Sequence, residues 1–120
     1  MIKQHRQALV VEGGGMRGAF TSGVLDAFLQ QQFNPFDLCV GVSSGSTNVA
    51  NYLAAQEGRT LHIYLDHSLR SEFIRYGRFF RGGDLLDLKW MWDVVEQEYP
   101  LNQEQLFANY AEFYMVLTHA

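Results

Sequence analysis

Leu38-Cys39-Val40-Gly41-Val42-Ser43-Ser44-Gly45 reads as an apolar strand that breaks into a Gly-x-Ser-x-Gly turn and passes directly into a helix. The helix is predicted over Ser46 to Ala55, where Val49, Ala50, Leu53 and Ala54 recur at helical spacing. A tight strand-to-helix turn needs residues without side-chain bulk around its central serine, and Gly41 and Gly45 meet that need. The turn lifts the Ser43 hydroxyl out of the sheet at a helix N-terminus, where backbone N–H groups can receive developing negative charge. Ser43 is therefore a candidate nucleophile, and Gly41, Ser44 and Gly45 are its elbow. The alternative role for Ser43 is an N-cap of the following helix, since serine is favoured there.

A second glycine cluster, Gly13-Gly14-Gly15-Met16-Arg17-Gly18, follows the strand candidate Ala8 to Val11 and opens another helix. In that helix Phe20, Val24, Ala27 and Phe28 are expected to form one apolar face. Two successive strand–glycine turn–helix units imply an α/β fold with parallel strands whose carboxyl ends lie together, where open α/β sheets hold ligands. The glycine loop and Ser43 are thus expected to face one crevice. Acyl transfer needs donors aimed at a developing oxyanion. The N–H groups of Gly14 and Gly15 are candidates, because backbone without Cβ atoms can approach a ligand closely, and Arg17 adds positive charge.

Glu12-Gly13-Gly14-Gly15-Met16-Arg17-Gly18 followed by Gly41-Val42-Ser43-Ser44-Gly45 resembles the N-terminal part of a patatin-like phospholipase domain. Arg81-Gly82-Gly83-Asp84-Leu85-Leu86-Asp87 is similar to bacterial members. The resemblance implies a three-layer fold with a mainly parallel sheet flanked by helices. It also implies a serine acyl hydrolase that cleaves lipid esters through a Ser–Asp dyad, without metal or other cofactor. On that pattern Ser43 is the nucleophile, and Gly13, Gly14, Gly15, Arg17 and Gly18 belong to the oxyanion hole. The family's dyad aspartate sits in a downstream Asp-Gly-Gly or Asp-Gly-Ala, and the chain has no Asp-Gly dipeptide. Residues 8–120 are therefore expected to be the first portion of the domain, truncated before that motif, after a short extension at 1–7.

Candidate bases within the chain are Asp26, Asp37, Asp66, Asp84, Asp87 and Asp93. Asp26 falls on the first helix and Asp37 at the wrong end of the elbow strand. His119 would end near the crevice if the last strand, Phe113 to Leu117, runs parallel to the others. His5, His62 and His67 have no acidic partner at a spacing that argues for a triad or a metal site.

A net charge of −4 and a pI near 5.4 argue against nucleic acid as a partner. The apolar run after Lys3 and Arg6 is too short for a signal segment or a membrane span. A cytoplasmic protein is expected, with Cys39 a buried apolar residue. Arg70, Arg75, Arg78 and Arg81 interleave with aromatic residues and could touch a membrane surface, or form a connector with solvated arginines. Leu85, Leu88, Trp92 and Val95 are expected in a core. Asn102 should cap a helix with Gln105 at its third position.

Two rival readings stay open. Gly13-x-Gly15-x-x-Gly18 also fits a dinucleotide-binding loop, but the acidic residue that must end the second strand is replaced by the Gly41–Ser43 turn. Alternatively, the chain is a catalytically incomplete lipid-binding or interaction module, with an unpaired sheet edge that favours self-association.

Overall fold

In the computed structural model, residues 6–67 and 88–117 are described. Three strands, β1 (Ala8–Val11), β2 (Leu38–Val42) and β3 (Glu112–Val116), form one parallel sheet with β2 in the centre. Leu9 pairs with Cys39 and Cys39 with Phe113, so alternate residues stack across the three strands on each face. The helices are α1 (Gly18–Gln30), α2 (Ser44–Leu53), α3 (Arg59–His67), α4 (Leu88–Glu98) and α5 (Gln103–Ala108), with a 3₁₀ turn at Gly15–Arg17. The α/β architecture with parallel strands is as the two turn units require.

The core lies between the sheet face carrying Val11 and Cys39 and the helices α1 and α2, which contribute Leu25, Val49, Tyr52 and Leu53. On the opposite face Val10, Tyr114 and Val116 are exposed among the described residues. At the amino end of the sheet Phe28, Phe33, Phe36 and Tyr52 pack edge to face or tilted, with ring centroids 5.0 to 6.3 Å apart. The Tyr52 hydroxyl donates to the Phe33 carbonyl at 2.6 Å, tying α2 to the α1–β2 connection. Burial pushes the Tyr52 phenol up to about 12, with smaller contributions from Cys39 and Tyr110, and burial alone pushes the Cys39 thiol up to about 11.

The expected apolar face of α1 is corrected. Phe20 and Val24 are 82% and 40% exposed, Ala27 is exposed, and of the four only Phe28 reaches the core. The buried stripe is Gly18, Ser22 and Leu25, with Leu29 half-buried beside it. Small and polar residues occupy this stripe because α1 packs closely: the Gly18 carbonyl accepts from Asn48 Nδ2 at 3.0 Å, and a Cβ at Gly18 would fall 2.4 Å from the Tyr64 hydroxyl. Hydropathy does not register closeness of approach.

Further along, Val95 is buried as expected, whereas Trp92 is 48% exposed and faces a cavity instead of a core. Leu85 and the Arg70–Arg81 and Arg81–Asp87 stretches lie outside the described residues. Asn102 caps α5 by accepting from the Gln105 N–H at 3.1 Å. The Asn102 N–H donates to Gln56 Oε1 at 2.8 Å, so the partner of a reciprocal capping box is supplied by another part of the chain.

Candidate active site

Ser43 stands between β2 and α2 at φ 52° and ψ −124°, in a region that residues with a Cβ seldom occupy. Its side chain makes no capping hydrogen bond to α2, and the residue is exposed. The hydroxyl thus takes no part in the N-cap role that serine commonly plays at such a position.

The two elbow glycines are required by contact between backbones. A Cβ at Gly41 would lie 2.5 Å from Ser46 Cα, and one at Gly45 would lie 2.4 Å from the Val11 carbonyl oxygen and 2.5 Å from that of Glu12. The first turn of α2 is thereby pressed against β1 and β2. This seating places Ser43 at the carboxyl end of the sheet, on the side from which the glycine loop also leaves β1.

The loop touches the elbow at two points. A Cβ at Gly13 would be 3.2 Å from Ser43 Cβ, and the Gly14 N–H donates to Ser44 Oγ at 3.2 Å. Gly15 adopts φ +54° and nothing lies within 4 Å of where its Cβ would be. Its carbonyl accepts from the Tyr64 hydroxyl at 2.8 Å, so α3 holds the loop from outside. Burial raises the Tyr64 phenol, and hydrogen bonding with Ser44 works in the opposite direction. Arg17, in the 3₁₀ turn, folds back so that its Nε lies 3.4 Å from a Cβ built on Gly14. Glu12, Gly13, Gly14, Arg17, Gly18, Phe20 and Thr21 line one hollow of about 370 Å³. Ser43 lines another, of about 520 Å³, so loop and serine meet at Gly13 and then open onto adjacent spaces.

The aspartates are held elsewhere. Asp26 Oδ1 accepts from the Gly58 N–H at 3.0 Å and Asp37 Oδ2 from the Gln7 N–H at 3.1 Å. Asp66 pairs with the Tyr99 hydroxyl, and Asp93 with Lys89 at 2.9 Å. Asp84, Asp87, His5 and His119 lie outside the described residues. Among the described residues the carboxylate lining the Ser43 cavity is Glu96. His62 stacks on Tyr99 with ring centroids 6.2 Å apart, and no group of three His, Cys, Asp or Glu side chains among the described residues could hold a metal ion.

Sequence reasoning missed the wall of the cavity. Ser43, Ser46, Thr47, Ala50 and Asn51 all line it, at i, i+3, i+4, i+7 and i+8, so one stripe of α2 runs down its length. Arg59, 8% exposed, belongs to the same wall. The signal was present as a polar stripe continuing the serine's own helical register.

Comparison with known proteins agrees with this architecture. The chain is 42% identical over 113 residues to a protein of Escherichia coli (strain K12) described as "Uncharacterized protein YjjU", covering 92% of this chain and 32% of that protein. The chain thus spans about a third of the length of that relative. No solved structure matches it. The family model described as patatin-like phospholipase matches residues 9–108, a span that holds the glycine loop, the elbow and both helices they open, and the chain belongs to that family.

Proposed function

We propose that this chain carries the nucleophile and oxyanion region of a lipid acyl hydrolase. Ser43 Oγ attacks an ester carbonyl, its proton passes to a base and then to the departing alcohol, and water hydrolyses the acyl-enzyme. Gly13, Gly14, Gly15, Arg17 and Gly18 form the oxyanion region, and the base is an aspartate beyond the described residues. One observation carries the reading: Ser43 is held in a strained backbone conformation with its hydroxyl outside the helix cap. Such strain persists only where the surroundings enforce it, as the contacts at Gly41 and Gly45 do here.

A second reading, a lipid-binding or interaction module without turnover, is favoured by the four described aspartates all being engaged away from Ser43. A fluorophosphonate probe separates the two. Labelling of the intact protein that disappears in Ser43→Ala is expected for the hydrolase; an unlabelled protein, or labelling that survives the substitution, sinks it. We place the protein in the cytoplasm, in peripheral contact with lipid. No helix among the described residues is long and apolar enough to cross a membrane.

A further inference from the structure

Arg59 is a buried cation in a protein of net charge −4. Its Nε donates to the Tyr99 carbonyl at 2.8 Å and its Nη1 to Asn51 Oδ1, while Asn51 Nδ2 is held in turn by Thr60. Both acceptors are neutral. Among the described residues no carboxylate pairs with Arg59; Glu96, an exposed residue lining the same cavity, forms no ion pair with it. Burial lowers the guanidinium's pKa, with no neighbouring charge acting against that. A desolvated cation without a counter-charge is costly, and guanidinium presents a fork matched to planar oxyanions.

A second, independent observation lies in the same wall. Ser46 Oγ is buried and has no hydrogen-bond partner. The residues Arg59 and Ser46 both line the Ser43 cavity, on or against the α2 stripe that begins at the serine, with the Ser46 hydroxyl itself buried behind the wall. Ala50, Trp92, Val95 and Met115 give the same cavity apolar wall, alongside the polar Gln103 and the carboxylate of Glu96. From Ser43 to Asn51, the residue that holds Arg59, the helical rise is about 12 Å. That span suits an acyl chain whose carbonyl sits at Ser43 and whose other end carries charge. It exceeds the few bonds separating an ester carbonyl from the phosphate of a glycerophospholipid.

We propose that the Ser43 cavity is an acyl channel closed by an anion subsite at Arg59, selecting esters of acids that bear a distal carboxylate. The proposal rests on the acyl hydrolase reading for its substrate but not for its binding site. Hydrolysis of such an ester at Ser43 consumes one water and releases the alcohol and a dicarboxylate.

The test is equilibrium binding of octanoate, 1-octanol and sn-glycerol 3-phosphate to the intact protein and to Ser43→Ala, which removes turnover. Octanoate should bind both proteins at least about tenfold more tightly than octanol, as expected for a charge-assisted hydrogen-bonded pair. Arg59→Gln should abolish that preference and Arg59→Lys should restore part of it. Because Arg59 also ties α3 to Asn51 and Tyr99, Ala50→Leu supplies a second variant that fills the channel and keeps the arginine; it should weaken octanoate as well. Octanoate and octanol binding alike, or a preference unchanged in Arg59→Gln, overturns the proposal. Arg59-dependent binding of glycerol phosphate as tight as that of octanoate overturns the acyl orientation and makes the subsite a headgroup site. A protein that shows the octanoate preference yet resists the fluorophosphonate probe keeps the subsite and loses the hydrolase reading. One that is labelled but shows no preference does the reverse.

Discussion

The two glycine turns at the carboxyl end of the sheet look alike in sequence and are built on opposite principles. In the elbow, Gly41 and Gly45 are surrounded by backbone, with a hypothetical Cβ meeting main-chain atoms at 2.4 to 2.5 Å. In the loop, a Cβ on Gly15 would meet nothing within 4 Å, and one on Gly14 only the Arg17 side chain from 3.4 Å outward. Elbow glycines are therefore packing residues that press α2 against β1 and β2. Gly14 and Gly15 leave space above the loop main chain near Ser43, although the Gly14 N–H is already given to Ser44 Oγ and Gly13 and Gly18 are packed. The difference teaches that one residue type serves rigidity in one turn and access in the other.

Gly45→Ala attacks the packed turn most directly. Its methyl group would collide with the Val11 and Glu12 carbonyls, so a loss of about 3 kcal/mol is expected in urea unfolding. A variant as stable as the parent would mean that the elbow is not tightly packed.

Alkaline pH probes the same turn from beneath. Cys39 on β2 is fully buried, and its thiol stands near 11 against an ordinary value of 9.0. The folded state favours the neutral thiol, so its contribution is complete below about pH 9 and lost as pH rises through 11. Two pKa units correspond to roughly 3 kcal/mol. Tyr52 adds a similar loss between 10 and 12. Cys39→Ala should flatten unfolding free energy between pH 9 and 11; an unchanged slope would show that water reaches the strand under the elbow.

Ser43→Gly should separate strain from function. Relief of the positive φ is expected to stabilise the fold by about 1 kcal/mol while removing the nucleophile. If the variant melts lower than the parent, Ser43 stores no strain. Gly15→Ala completes the comparison on the open side. With φ +54° but no steric conflict, it should cost about 1 kcal/mol of backbone strain, well under the penalty at Gly45. Equal losses at the two positions would erase the distinction between the turns.

Much of this was legible in the residues. The strand Ala8 to Val11, the elbow, the buried positions of α2 and the Asn102 cap all depend on interactions within a few residues, where turn sterics, period and capping chemistry dominate. The face of α1 was not legible, because Gly18 and Ser22 are buried through close approach of neighbouring helices instead of through hydrophobicity. Nor was Tyr64 on the Gly15 carbonyl, a contact across 49 positions of chain.

The sequence by itself therefore determined the parallel strands, the two glycine turns and the identity of the exposed serine between them, since each is written in local spacing. Only the tertiary structure decided what surrounds that serine. It brought Gly13 against Ser43 and set the four described aspartates apart from it. It also buried Arg59 beside Asn51 in the wall of the Ser43 cavity. Those placements follow from how α2 packs on the sheet and α3 packs on α1 and α2, and packing depends on shape complementarity between segments that sequence spacing does not encode.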